Sequence, residues 1–155
     1  MTTIMLIKSL VEFLAKSVEN YRYEDSQGNS KGVYVKDAFL KRRTTSDEEF
    51  LPFIIARPLN GKDTSREGTI KVRLIFGVRE EDVDEGWIGL VNLMEHVKQD
   101  LLKVVFIDNR YPIEPPLEWT VQEGENYPEW YGYMDVTFTM AHPVPMGKLQ
   151  EMLGG

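Results

Sequence analysis

The chain has 155 residues, 42% of them hydrophobic, no cysteine and a formal net charge of -7. That length fits one domain with a sizeable core, and the lack of cysteine excludes disulfides and thiolate metal sites while suiting a reducing cytoplasm. The acidic balance argues against general nucleic-acid binding, which needs a basic surface, and no apolar run approaches the ~20 residues that span a bilayer, so neither signal peptide nor membrane anchor is expected.

In chain order, Thr3 is the predicted cap of a first helix in which Leu6, Ile7, Leu10, Val11, Phe13, Leu14 and Val18 recur at helical spacing. Residues 20–32 are polar, carry Gly28 and Gly32, and read as a turn or exposed connection. VYVKDAFL is a strand candidate, followed by the basic and polar run KRRTTSDEE. Residues 53–57 of FLPFIIAR read as a buried strand, because Pro52 is tolerable only at a strand's beginning or edge. Between residues 58 and 68, Pro58, Gly61 and Gly68 break any apolar period and predict a loop, longer than a tight hairpin needs. Such a loop is either functional or a tolerated insertion.

Residues 69–103 are the clearest unit. Ile70, Val72, Leu74, Phe76 and Val78 alternate with Thr69, Lys71 and Arg73, the period of a strand with one buried face, and Ile75 argues that the second face is partly covered. Asp82 and Glu85 have the spacing of a helix cap and its reciprocal partner, so a helix is expected from near Val83. Trp87, Leu90, Val91, Met94, Val97 and Leu101 form its apolar stripe, to lie across the sheet with Leu74, Phe76, Leu90 and Met94 buried.

Asn109 and three prolines make VVFIDNRYPIEPP an expected irregular connector. LEWTVQE, with Leu117, Trp119 and Val121 inward, and GYMDVTFTM, with Met134, Val136, Phe138 and Met140 on one face, predict an antiparallel hairpin. The order implies an α+β domain over residues 1–141: a mainly antiparallel sheet of four to five strands with two helices packed on one face. Residues 142–155 form a C-terminal tail in which Met146, Leu149, Met152 and Leu153 suit a short helix, although a frayed terminus is the simpler expectation.

Catalytic patterns are lacking: the only histidines are His96 and His142, and neither GxSxG, GxxxxGK[ST] nor GxGxxG occurs. His96 has Asp100 one turn on, most simply an exposed helix pair. Glu80, Glu81, Asp82, Asp84 and Glu85 could offer oxygen ligands to Mg²⁺ or Ca²⁺, but a helix start complementing its dipole explains them better. Tyr127, Trp130, Tyr131 and Tyr133 suit either a partner surface or closure of the hairpin over the core. Residues 28–79 hold 11 Lys/Arg against 6 Asp/Glu, whereas residues 80–155 hold 4 against 15. This split either gives a subunit two faces of opposite sign or is mixed away by interleaved strands.

The combination of DEGWIGLVNLMEHVKQDLL, the proline-broken connector, LEWTVQE, PEWYGYMDVTFTM and the amphipathic first helix resembles the small minor tail proteins of long-tailed bacteriophages and prophages. In element order it resembles the tail terminator family of phage lambda, over roughly residues 3–141. The resemblance implies a non-enzymatic structural protein without cofactor or metal. It implies a hexameric ring that sits on the tail tube, stops tube polymerisation and offers a surface for head joining. Implied partners are further copies of the chain, the tail tube protein and head–tail connector proteins, in the virion tail and, during assembly, in the host bacterial cytoplasm. By analogy, the segment from Arg57 to Gly68 touches the tube or a neighbour. Charge complementarity adds a basic side around Lys41, Arg42, Arg43, Arg57, Lys62 and Arg66 facing an acidic side that includes Glu81 and Asp82, with Tyr127 and Trp130 as aromatic contacts. Residues 20–49 and the C-terminal extension depart from the compact family pattern. Alternatives are another neck or tail-completion protein, a metal-dependent hydrolase using the acidic cluster, and an adaptor domain whose aromatic hairpin binds a peptide.

Overall fold

The computed structural model describes residues 2–38 and 51–142. Helix α1 spans Thr3–Ser17 and is capped one residue earlier than expected, by Thr2, whose hydroxyl accepts from the Met5 amide at 3.1 Å. A two-residue hairpin follows, β1 (Tyr23–Glu24) against β2 (Ser30–Lys31), in the stretch expected to be a turn. Strand β3 (Tyr34–Asp37) lies parallel to β4 (Phe53–Asp63). Strand β5 (Glu67–Arg79) leads through the acidic corner into α2 (Gly86–Val104). After α2 come β6 (Phe106–Ile107), β7 (Tyr111–Val121) and β8 (Glu129–Ala141). The six strands of the main sheet run β3-β4-β5-β8-β7-β6, antiparallel except for the β3/β4 pair. The protein is therefore α+β, with β3 and β6 as short additions at the sheet's margins.

The expected core forms as the alternation dictates. Val72, Leu74, Phe76 and Val78 of β5 and Met134, Val136 and Phe138 of β8 pack with Leu6, Leu10 and Leu14 of α1 and Leu90, Leu93, Met94, Val97 and Leu101 of α2 in one buried cluster. Each large side chain removed from water contributes about 1.5–3 kcal/mol before conformational entropy is set against it. A smaller cluster occupies the opposite face: Leu51, Phe53 and Ile55 pack with Ile75 and Tyr131, so Ile75 does mark a second covered surface. Among the described residues no helix is long and apolar enough to cross a membrane.

Four further expectations change. The segment 58–68 is mostly strand: the β4/β5 ladder continues from Phe53↔Gly77 to Asp63↔Gly68, skipping Leu59 at a register shift between Pro58 and Asn60. Pro58 is accommodated because it stands at this bulge on a stretch of β4 beyond β3. Thr64 closes the turn, its amide donating to the Glu67 carbonyl at 2.8 Å and its hydroxyl accepting from the Glu67 amide. Second, the connector is not wholly irregular, since β7 begins at Tyr111 and absorbs Pro115 and Pro116 at a register shift between Glu114 and Glu118. Third, α2 starts at Gly86 rather than near Val83, with Glu85 at its cap position and no side-chain cap. Asp82 instead shapes a turn, its Oδ1 accepting from the Asp84 amide and its carbonyl from the amides of Glu85 and Gly86. Gly86 fits there because a Cβ would meet the Trp130 ring at 2.0 Å. Fourth, Trp87 is 53% exposed and Leu93 is buried in its stead, because the Gly86 side of the helix is what faces the sheet. The expected terminal helix lies outside the described residues.

Candidate interaction surface

The acidic corner is spent on structure. Glu80, at the end of β5, is 3% exposed. Its carboxylate accepts from the Ser26 amide at 2.8 Å, the Ser26 hydroxyl and the Asp82 amide at 3.0 Å. It thereby ties the hairpin around residue 26 to the sheet, while its carbonyl accepts from Trp130 Nε1 at 2.9 Å. Glu81 is exposed, with Arg79 Nη2 at 3.2 Å and the Gln27 side-chain amide beside it. The other corner carboxylates do not converge on Glu80, and among the described residues no three His, Asp or Glu groups are placed to share a metal ion. Tyr23 is part of the same knot: burial first, then the negative charges of Glu80 and Asp25, push its phenol far above the ordinary tyrosine range.

His96 does not face solvent with Asp100 alone. Its Nε2 lies 2.7 Å from the Ser17 carbonyl and 3.9 Å from Asp100 Oδ2, and its ring centroid is 4.9 Å from that of Tyr21. The Ser17 hydroxyl also donates to Asp100, so this pair joins the end of α1 to the middle of α2.

The expected aromatic cluster divides. Trp130 closes over the core with Tyr127 edge-on at 6.3 Å, and the Tyr127 hydroxyl donates to the Glu81 carbonyl. Tyr131 packs with Phe53 on the opposite face at 6.0 Å, and Tyr133 lies 4.0 Å beneath the Arg73 guanidinium. Trp119, expected inward, is 49% exposed. It does share the face of its cross-strand neighbour Met134, but β7 lies at the sheet margin, where facing inward does not mean being covered. Lys98 Nζ lies 5.9 Å from the Trp119 ring centroid, close enough for a cation–π contact.

The sheet face opposite the helices carries the main charge pattern. Cross-strand partners share a face, and one row runs Arg57–Arg73–Asp135–Glu118 across β4, β5, β8 and β7. The next runs Asn60–Lys71–Thr137–Glu114, and Lys62–Thr69–Thr139 follows. At the centre Arg73 grips Asp135 with two bonds, Nε–Oδ1 at 2.8 Å and Nη2–Oδ2 at 3.0 Å. Interleaving therefore neutralises the middle of the face and leaves basic residues toward β4 and acidic ones toward β7. The charge split of the sequence becomes a gradient across one surface.

Among the residues singled out from sequence, Lys62 and Arg66 are exposed at the β4/β5 end, while Arg57 is half-buried and donates from Nε to the Ala38 carbonyl at 2.7 Å. Glu81 and Asp82 sit past the end of β5 with Tyr127 and Trp130, apart from these three. On this face the acidic counterparts are Glu114 and Glu118; alternation in LEWTVQE turns Glu118 outward, whereas Glu114 is marked only once the strand is known to begin before its prolines. Lys41, Arg42 and Arg43 lie outside the described residues. No family model matches the chain, and no curated protein matches it either.

Proposed function

We propose that the chain is a structural subunit of a long-tailed phage or prophage tail, a terminator that assembles into a ring on the tail tube, stops its polymerisation and offers a head-joining surface. The observation that carries this reading is the charge gradient of the outer sheet face, basic toward β4 and acidic toward β7. A subunit with opposite signs at its two sides suits a heterologous contact, in which one patch meets a different patch on the next copy. Exposed ion pairs add little energy, so charge sets orientation and other contacts supply affinity. The resemblance in element order supplies the ring of six, the tail tube and the head–tail connector as partners, and the virion tail as the location. The reading assigns no catalysis and no cofactor.

The test is genetic and structural together. A phage lacking the chain should produce tails of uncontrolled length that do not join heads, and wild-type protein should restore it. Lys62→Glu with Arg66→Glu, both on exposed residues, should fold with stability within about 0.5 kcal/mol of wild type yet fail to restore. Arg57 is left intact because it is bonded to the Ala38 carbonyl. Normal tails joined to heads in the absence of the chain would overturn the reading.

A further inference from the structure

We infer that the β7 margin is a strand-docking edge: an extended segment of another polypeptide, in which basic and apolar residues alternate, adds to the sheet beside residues 117–121. Such docking is independent of the tail reading, for it follows from the strand's own backbone and side chains.

The phase of the ladder decides which backbone groups the edge offers. Gln122 donates its amide to the Tyr131 carbonyl at 3.0 Å, and β7 keeps one register with β8 from Val121↔Gly132 back to Glu118↔Asp135. Hydrogen-bonded pairs alternate in an antiparallel ladder, so Glu118 and Thr120 bond to β8, whereas the N–H and C=O of Trp119 and Val121 point the other way. The Thr120 carbonyl accordingly faces β8, 3.1 Å from where a Cβ on Gly132 would stand. Beyond β7 lies β6, which reaches only Tyr111 and Pro112, so among the described residues no strand pairs with Trp119 or Val121 on that side. Pro115 and Pro116 limit pairing to the stretch after them, and from Leu117 to Val121 neither proline nor lysine blunts the edge.

Backbone pairing admits any extended chain, and the two faces of the margin select among them. On the helix side, Leu117 and Val121 pack against the core, while the Trp119 indole between them is 49% exposed. Lys98 of α2 approaches that indole, and Leu102, one turn further along the helix, is 56% exposed. A large apolar side chain set across from Trp119 would take the indole out of water. On the outer side, Glu118 is exposed, with Glu114 before it and Glu123 and Glu125 just past the strand's end. From Tyr111 to His142 the chain has no Lys or Arg, and Asp135, beside Glu118 on β8, is already held by Arg73. A strand bringing Lys or Arg to this face supplies the charge the margin lacks, and an acidic one is repelled. Because side chains alternate between faces, the two demands fix a period of two in the occupant. β5 meets the other side of β8 in this way, with Lys71 and Arg73 outside and Val72 and Leu74 inside.

The probe is a fluorescein-labelled peptide, Lys-Val-Arg-Val-Lys-Val-Arg, titrated with the full chain and followed by fluorescence anisotropy. It should bind roughly tenfold or more tightly than a peptide of the same composition with its valines consecutive, and than one with Glu for every Lys and Arg. Trp119→Ala, and separately Glu114→Lys with Glu118→Lys, should each weaken binding roughly tenfold or more while keeping the wild-type circular dichroism. Amide hydrogen exchange locates the contact. In the free chain the amides of Thr120 and Gln122 should exchange slowly and those of Trp119 and Val121 fast, and saturating peptide should slow the latter pair roughly tenfold or more. A probe that binds no better than its reordered counterpart, or protection that falls away from Trp119 and Val121, would overturn the inference. So would slow exchange of these two amides in the free chain that is lost on dilution, because a second copy would then be the occupant.

Discussion

On β5, Val72, Leu74, Phe76 and Val78 point toward the helices and are fully buried, while Lys71, Arg73 and Ile75 alternate with them on the outer face and are only partly covered. The two faces share one backbone and differ in what constrains their side chains. Inside, each position is bounded by α1, α2 or both, and a close approach such as Gly132 to the Met94 sulfur leaves no room for even a Cβ, which would lie 2.7 Å away. Outside, a compact apolar patch at the Phe53 end gives way to rows of charge. Stability resides mainly on the first face, and the second tolerates charged side chains.

The largest effect that sharpens this contrast is a cavity under α2. Leu90 is fully buried in the main cluster, and Leu90→Ala should cost about 2–5 kcal/mol, whereas Lys71→Ala on the outer face should change stability by no more than about 0.5 kcal/mol. Denaturant unfolding of the two variants measures both. Similar losses would erase the distinction between the faces.

A second test uses pH on a buried phenol. Tyr23 is packed so closely beneath α2 that a Cβ on Gly89 would lie 2.8 Å from it, and burial, then Glu80, then Asp25, raise its folded pKa. A raised folded pKa means that the folded chain keeps this proton more firmly than the unfolded one. Its contribution to stability is therefore complete below the unfolded value of about 10 and declines as pH climbs past it. Stability of wild type should fall more steeply above pH 10 than that of Tyr23→Phe, read from unfolding midpoints across the alkaline range. Parallel curves would mean that Tyr23 is not the group linking folding to pH.

Legibility in the sequence followed the same division. Where a face is buried, period alone was enough: Ile70 to Val78 and the stripe from Leu90 to Leu101 sit as alternation and helical spacing require. It failed where prolines interrupt a strand at the margin. Pro58 and Pro115–Pro116 hid the outer parts of β4 and β7, because a bulge lets a strand survive a residue that its pattern forbids. Local capping rules were overruled at Asp82 and Glu85 by a tertiary contact, the Trp130 ring seated on Gly86, that no nearby residue announces. The charge gradient was half legible. The excess of each sign could be counted along the chain, but its direction depended on β8 inserting between β5 and β7, which only the strand order determines.

The smallest effect concerns the centre of that gradient. Arg73 and Asp135 have the two-bond geometry in which a guanidinium and a carboxylate interact best, and the Tyr133 ring under the guanidinium restricts its motion. Their side chains are nevertheless 31% and 16% exposed, so water and salt screen the pair. A double-mutant cycle with Arg73→Ala and Asp135→Ala should return a coupling of about 1 kcal/mol at low ionic strength, smaller at high salt. That is well below the cost of the Leu90 cavity although the pair has two-bond geometry, as expected for a pair that solvent screens. Zero coupling at low salt would reduce the central pair to two adjacent charges. The gradient would then have no fixed centre, and Lys71 on one side and Glu114 and Glu118 on the other would have to set the field of the face alone.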